Sequence, residues 1–126
     1  MKAPKTLMNT GALCAPADTN RAGDASPAAV AEIVRFRLAN GVTENAFLDA
    51  TRGMQPLVAA TPGFVSRRLS KNEDGSWTDY VTWTDMARAR SAAKTIFANP
   101  ETKPFIDAID GASVDMRHEA ILMQME

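Results

Sequence analysis

The sequence predicts one α+β domain whose elements follow the order strand, helix, strand, strand, helix, strand. Three observations support this fold class. Apolar and charged residues alternate through residues 30–38, a stripe of apolar residues at helical spacing follows, and two strand-like segments then flank an Asp-Gly turn. A helical stripe and a final alternating segment come after the second of these strands, so the strand–helix–strand pattern occurs twice.

The first strand and the first helix are marked by a change in the apolar period. Residues 30–38 alternate with a period of two, as expected for a strand with one apolar face. Thr43 is the predicted N-cap of the helix, because its hydroxyl can accept a hydrogen bond from a first-turn amide. Pro56 is expected to kink this helix or weaken its last turn. The apolar stripe consists of Ala46, Phe47, Ala50, Met54, Leu57 and Val58.

The middle of the chain predicts a β-hairpin followed by a second helix. Residues 64–70 and 77–83 read as strands, and Asp74-Gly75 between them supplies the positive φ of a tight turn. Thr84 or Asp85 is the predicted cap of the second helix. A short helical turn is expected at residues 104–109 and a last strand at 113–123. The apolar stripe of the second helix is predicted to be Met86, Ala89, Ala93, Ile96 and Phe97.

This element order predicts a ferredoxin-like βαββαβ fold, a four-stranded antiparallel sheet with two helices on one face. The other sheet face would then be uncovered. That face could stay in solvent on a monomer, or it could be buried against a second copy by isologous pairing. It is predicted to carry both charged and apolar groups, namely Ile33, Arg35, Arg37, Arg117, Glu119 and Ile121.

Composition separates residues 1–28 from residues 29–126. Residues 14–29 are rich in Ala, Pro, Asp and Gly, so residues 1–28 are predicted to be an N-terminal extension or arm and 29–126 the folded domain. The mildly apolar stretch at 6–17 is too polar for a secretory signal. The single cysteine, Cys14, fits a reducing compartment. We therefore expect a cytoplasmic protein.

Charge and motif content argue against several classes of function. The net charge is −1, with no basic stripe of the kind that nucleic-acid binding requires. No run of 18 apolar residues suggests a membrane helix. One histidine and one cysteine far apart predict no metal site, and no glycine-rich phosphate loop indicates a nucleotide cofactor. We expect no nucleic-acid or membrane partner, no metal and no cofactor.

Several short motifs, taken in order, resemble the antibiotic-biosynthesis-monooxygenase family over about residues 30–123. The family implies a dimeric α+β barrel, and therefore a homodimer formed through the open sheet face. Its members include cofactor-independent oxygenases of aromatic polyketides, haem-degrading enzymes and many proteins of unknown activity. The motifs are Asn40-Gly41, Thr61-Pro62-Gly63-Phe64-Val65, Tyr80-Val81-Thr82-Trp83-Thr84-Asp85 and the segment from Asn99-Pro100-Glu101 to Pro104-Phe105.

The resemblance carries over to individual positions only in part. The haem-degrading branch uses an Asn in strand one, a Trp ending strand three and a His about ten residues later. Trp83 matches the Trp, but residues 30–38 hold no Asn and residues 92–94 hold no His. The oxygenase branch uses Trp, Asn and Tyr around an apolar cavity. Trp83, Trp77 and Tyr80 could supply its aromatic groups, which implies a small aromatic, quinol-like substrate, although no Asn is matched.

Two residues are candidates for catalysis. His118 is the only histidine and lies on the predicted helix-facing side of the last strand, where it could act as a general base. The alternative, which the sequence favours, is a buried or edge histidine held by hydrogen bonds for structure. Trp83 could stack on a flat substrate or fill the core. Tyr80 should face away from Trp83, and Trp77 is expected at the surface or at an interface.

Three further residues are predicted to bind substrate. Arg67 could enter the cavity and bind an anionic group, or it could form an exposed or interface ion pair. Met116 and Phe47 would supply apolar contacts, although such residues suit an ordinary core equally well. Two functions follow: a cofactor-independent monooxygenase, or a non-catalytic ligand-binding or dimerisation module. An open cavity between helices and sheet, lined by Trp83 and His118 and on the order of several hundred Å³, would favour an enzyme or a binder, whereas a fully packed interior would favour a structural role.

Overall fold

The structure is a computed structural model that describes residues 28–125. The predicted arm at residues 1–28 and Cys14 therefore lie outside the described residues, apart from Ala28. The described part forms four strands and three helices, with 3₁₀ turns at Pro100–Thr102 and Gly111–Ser113. The elements are β1 (Val30–Phe36), α1 (Glu44–Ala60), β2 (Phe64–Lys71), β3 (Trp77–Trp83), α2 (Met86–Ala98), α3 (Lys103–Asp107) and β4 (Asp115–Ala120).

The strands form one antiparallel sheet in the order β2-β3-β1-β4, which confirms the predicted ferredoxin-like fold. Strand alternation gives the sheet two different faces. One face packs against the helices and carries Phe36, Val81 and Trp83, all buried. The other face carries Ile33 and Tyr80, which are paired directly across β1 and β3. Tyr80 and Trp83 therefore face opposite ways, as the sequence predicts.

Local hydrogen bonds explain where the helices begin. The Thr43 hydroxyl accepts from the amide of Ala46 at 3.1 Å, as predicted. The Asp85 carboxylate accepts from the amide of Arg88 at 2.8 Å, so Asp85 rather than Thr84 is the cap of α2. Helix α1 runs through Pro56 and continues to Ala60.

The β2–β3 hairpin is closed by a hydrogen-bonded turn. One carboxylate oxygen of Asp74 accepts from the Ser76 hydroxyl at 2.6 Å and from the Ser76 amide at 2.9 Å. These two bonds hold the pKa of Asp74 below its ordinary value of 3.8. Gly75 adopts φ +89°, the positive angle that the sequence predicts at this position. The turn residues therefore set the β2–β3 pairing locally.

Two sequence expectations about aromatic residues are wrong. Trp77 is only 4% exposed, and its ring lies 4.9 Å from the Phe47 ring in the core. It shares the helix-facing side of β3 with Trp83, because their positions differ by six and side chains of a strand alternate with a period of two. Phe97, which belongs to the predicted apolar stripe of α2, is 56% exposed, whereas Ala92, which does not, is buried. The buried face of α2 is therefore rotated relative to the predicted stripe.

Among the helices of residues 28–125, none is long and apolar enough to cross a membrane.

Gly63 is expected to be the glycine at which alanine is least tolerated. Its φ is +90°, and an added Cβ would lie 2.5 Å from the Cβ of Arg88. We expect Gly63→Ala to lower the free energy of unfolding by roughly 1–3 kcal/mol, measured by urea denaturation. Gly53→Ala is the control, because no atom lies within 4 Å of its added Cβ. This exposed position in α1 should gain about 0.5–1 kcal/mol. Equal effects would contradict the close approach at Gly63.

Candidate functional site

A cavity of about 200 Å³ lies between the sheet and the helices. Its walls are mainly apolar. They come from β1 and β3 of the sheet and from α1 and α2, and α3 and the segment after it close one side. Such a cavity can exclude water from a bound molecule. Representative lining residues are Val34, Met54, Val81, Ile96, Phe105 and Ile109.

The cavity opens between residues of four different segments. Phe97 is 56% exposed, Val114 and Met116 are each 43% exposed, and Ile106 is 39% exposed, yet all four line the cavity. They form an apolar rim beside β4, and we call these four residues the rim. A flat apolar molecule could enter here and leave part of its surface outside.

One row of four residues crosses the sheet beneath the cavity. His118 on β4 pairs with Glu32 on β1, Glu32 pairs with Val81 on β3, and Val81 pairs with Arg67 on β2. Because directly paired residues point to the same face, all four side chains face the helices. Neighbouring strands are about 4.8 Å apart, so the Cα atoms of Glu32 and Arg67 are separated by roughly 10 Å.

Glu32 forms the first polar end of this row. Its Oε1 accepts from the indole Nε1 of Trp83 at 3.1 Å, and its Oε2 lies 3.2 Å from Nε2 of His118. The Glu32 side chain is 12% exposed and the His118 side chain 26% exposed. Glu32 and Trp83 line the cavity, and His118 stands behind Glu32 on the edge strand. The carboxylate is therefore fixed at two points and connected to solvent through an imidazole.

Arg67 forms the second polar end. Its Nε and Nη2 donate to the two carboxylate oxygens of Asp79 at 2.9 and 2.8 Å, and Nη2 also donates to the Thr51 hydroxyl at 3.2 Å. The guanidinium carbon lies 5.5 Å from the centre of the Phe105 ring. The side chains of Arg67 and Asp79 are only 9% and 11% exposed. A charged pair this deeply buried needs such two-point geometry to offset its desolvation.

The structure places the predicted site residues at different distances from the cavity. Trp83, Arg67 and Met116 line it. His118 contacts it through Glu32. Phe47 has no exposed surface and packs among other aromatic rings in the core behind the cavity wall.

Sequence reasoning missed two residues of the site, Glu32 and Asp79. Both carry a signal that could have been found. Glu32 occupies an even-numbered position of β1, in phase with the apolar residues Val30 and Val34. Asp79 occupies the phase of β3 that otherwise holds only tryptophans and a valine. A carboxylate on the apolar face of a strand requires a partner, and both partners lie at the cavity.

Within residues 28–125, no group of three or more His, Cys, Asp or Glu side chains is arranged to hold a metal ion.

The fold recurs in solved structures, although no protein-family model and no curated protein sequence matches the chain. SnoaB, a cofactor-independent oxygenase from Streptomyces nogalater, superposes with a TM-score of 0.55 and 23% identity, covering 79% of this chain and 96% of that chain. A candidate antibiotic biosynthesis monooxygenase from Bordetella bronchiseptica superposes with a TM-score of 0.65 and 15% identity, covering 76% of this chain and 99% of that chain. This chain has the antibiotic-biosynthesis-monooxygenase fold.

The sequence resemblance is thus confirmed at the level of the fold. The antibiotic-biosynthesis-monooxygenase fold is also found in a protein of unknown function from Nitrosomonas europaea, with a TM-score of 0.57 and 18% identity, covering 79% of this chain and 94% of that chain. At identities this low, the superpositions establish the shared architecture alone. The chemistry of this chain has to come from its own side chains.

Removing one partner of the buried Arg67–Asp79 pair is expected to destabilise the fold strongly. Asp79→Ala leaves the buried guanidinium without a counter-ion, so the free energy of unfolding should fall by about 3–5 kcal/mol in urea denaturation. Asp115→Ala is the matched control, because it breaks the Arg117–Asp115 pair, whose side chains are 60% and 61% exposed. That loss should stay below about 1 kcal/mol. Similar losses in both variants would contradict the burial of Asp79.

Proposed function

We propose that the protein is a cofactor-independent oxygenase that acts on a small aromatic, quinol-like substrate in the cavity. One observation carries the proposal: a carboxylate, Glu32, is fixed by Trp83 and His118 at the wall of an otherwise apolar cavity. A carboxylate in that position can accept a proton from a bound molecule while the apolar walls hold its ring. The fold that the chain shares with SnoaB, a cofactor-independent oxygenase, agrees with this assignment.

The reaction begins with the removal of a proton from the substrate. Glu32 accepts a proton from an acidic ring carbon of an anthrone-like substrate, and the resulting carbanion gives electrons to O₂. A carbon–oxygen bond forms, and protonation gives a hydroperoxide. Its O–O bond then breaks as the second hydrogen leaves that carbon as a proton. The ring CH₂ becomes a carbonyl, and the other oxygen atom leaves as water, so the substrate supplies all the electrons.

His118 is proposed to pass protons between Glu32 and solvent. Its Nε2 lies 3.2 Å from Glu32, and about a quarter of its side chain is exposed. Imidazole exchanges protons readily near neutral pH. The base first predicted for His118 is therefore assigned to the Glu32–His118 pair, in which Glu32 is the member that borders the cavity.

The size of the cavity favours a small aromatic group. Apolar cavities of about 150 Å³ hold benzene, so a volume of about 200 Å³ suits one ring or two fused rings. The open rim allows a larger molecule to extend outward. Trp83 is positioned to contact such a ring, since it borders the cavity while its indole nitrogen is held by Glu32.

Oxygen consumption provides the direct test. The wild-type protein should consume O₂ with at least one member of a panel of hydroquinones and anthrone-like compounds. Glu32→Gln should lower the rate by roughly 10²–10⁴-fold, because the amide cannot accept the proton. His118→Ala should lower it less, and more strongly at low buffer concentration, because added buffer can replace a proton carrier.

Glu73→Gln is the matched control, since it makes the same chemical change at an exposed turn residue. It should retain the wild-type rate. Equal rates for wild type and Glu32→Gln would refute the assigned base. Binding of aromatic compounds without O₂ consumption across the panel would instead support the alternative, a non-catalytic ligand-binding module.

The protein is further proposed to form a homodimer through the open sheet face, opposite the helices. That face combines the apolar Ile33 with Tyr80, whose ring lies 5.3 Å from the guanidinium carbon of Arg68. Such a mixed surface suits isologous pairing, in which each charged group meets a symmetry-related partner. A cytoplasmic location, inferred from the polar N-terminal stretch and the single cysteine, stays a prediction.

The dimer is tested by a charge placed in the middle of that face. We expect sedimentation equilibrium to give twice the 13.6 kDa chain mass for the wild type. Ile33→Asp should give the monomer mass, because a dimer would bury two uncompensated carboxylates. Ala46→Asp adds the same charge to the exposed first turn of α1 and should leave the dimer intact. A wild-type monomer at micromolar concentration would contradict the proposal.

A further inference from the structure

We propose that Arg67 determines substrate specificity by binding an oxygen atom on the side of the ring opposite the atom that Glu32 deprotonates. The substrate class is then an aromatic ketone or phenol whose acidic position and oxygen acceptor lie at opposite ends of one ring. This inference rests on the proposed function for its chemistry. Its binding component stands on the geometry of the cavity alone.

The row across the sheet provides the spacing. Glu32 and Arg67 each pair with Val81, on either side of it, so Val81 forms an apolar floor between two polar ends. Roughly 10 Å separates the two Cα atoms, the width of two strand spacings. A ring lying over Val81 would therefore present its opposite ends to Glu32 and Arg67.

Arg67 keeps hydrogen-bonding capacity that the described residues do not use. A guanidinium has five N–H donors. Nε and Nη2 donate to Asp79 and Thr51, whereas no hydrogen bond among residues 28–125 uses the two donors of Nη1. Because the side chain is only 9% exposed, unused donors there are costly. An oxygen acceptor on a bound molecule would satisfy them.

The contact with Phe105 places the guanidinium of Arg67 beside the cavity wall. Arg67 borders the cavity and also a more polar groove between α1 and β2, which Gln55 and Leu48 line. Phe105, however, lines the cavity and not that groove, and its ring centre lies 5.5 Å from the guanidinium carbon. The guanidinium thus lies against a residue of the cavity wall, and Arg67 itself lines the cavity.

This placement has a chemical consequence. When Glu32 removes a proton from a ring carbon, the negative charge spreads through the ring to a carbonyl oxygen at its far end. A fixed donor at that oxygen stabilises the charge as it develops. Asp79 holds Arg67 in place and balances its charge, so the cavity does not attract anions in general. The arginine should thus affect turnover in addition to the affinity for a substrate that carries the carbonyl.

A pair of redox-inert ligands tests the binding component without any oxygen chemistry. 4-Hydroxyacetophenone and 4-ethylphenol have nearly the same shape and differ in a carbonyl oxygen. Isothermal titration calorimetry of the wild type should show the ketone binding roughly 10–100-fold more tightly, the effect of one hydrogen bond to a charged donor. 3-Hydroxyacetophenone, which has its carbonyl at the wrong position, should lose most of this preference. Equal affinities for the three ligands would overturn the proposal.

Variants locate the effect. Arg67→Lys keeps the charge and loses the forked donors, so the preference for the ketone should fall below about threefold. Glu32→Gln should retain the preference, because the other polar end is untouched. If Arg67→Lys does not fold, as judged by circular dichroism, the wild-type series decides the question. A ketone preference that persists in folded Arg67→Lys would refute the role of Arg67.

The oxygen assay separates this inference from the proposed function. With an active anthrone-like substrate, whose carbonyl loses the same hydrogen bond, Arg67→Lys should raise KM by roughly 3–30-fold and should also lower kcat at least tenfold. A change confined to KM would contradict charge stabilisation at the far oxygen. A protein that prefers the ketone but consumes no O₂ would retain the binding specificity of Arg67 while refuting the oxygenase assignment.

Discussion

Charged groups on the helix-facing side of the sheet need hydrogen-bond partners between the sheet and the helices, and this requirement determines how the site is arranged. Glu32 and Arg67 both point towards the helices, where few polar atoms are available. Glu32 is held by an indole N–H and an imidazole, and Arg67 by a carboxylate and a hydroxyl. Each partner comes from another strand or from α1, so satisfying the charges also fixes the positions of those elements.

The strand register makes this arrangement possible. A shift of one residue between β1 and β3 would turn Glu32 to the open face and remove its contact with Trp83. The β2–β3 hairpin has its own local determinant, the Asp74 turn, which sets Arg67 opposite Val81. Long-range polar contacts and a local turn therefore specify the same alignment. This consistency explains how a small domain can keep two polar ends facing one cavity.

Most of the fold follows from local sequence signals. The N-cap at Thr43, the positive φ at Gly75 and the alternation of β3 depend on neighbouring residues, and each was predictable. The errors arose where tertiary packing decides the outcome. Trp77 was expected outside because it adjoins a turn, but helix α1 brings Phe47 over it. Phe97 is expected inside because it is large and apolar, but α2 buries Ala89, Ala92 and Ile96, which leaves Phe97 at the mouth of the cavity.

The site was less predictable than the fold for the same reason. Aromatic residues and a lone histidine attract attention in a sequence, whereas Glu32 and Asp79 look like ordinary solvent-exposed acids. Only their positions in the alternation of β1 and β3 mark them as facing the helices. That alternation can be interpreted once it is known which face of the sheet the helices cover. Arg67 and Arg68 illustrate the same limit: they are adjacent and chemically identical, and only the pairing with Val81 shows which one borders the cavity.

The rim around the cavity mouth has an evolutionary consequence. Phe97, Ile106, Val114 and Met116 are all partly exposed, so they contribute less to the packed core than the residues beneath them. Their replacement would change which molecules enter while leaving the framework of the fold intact. Selectivity at the cavity mouth is thus separate from the packing of the core. A lineage built on this scaffold could explore new ligands without first acquiring a surplus of folding stability.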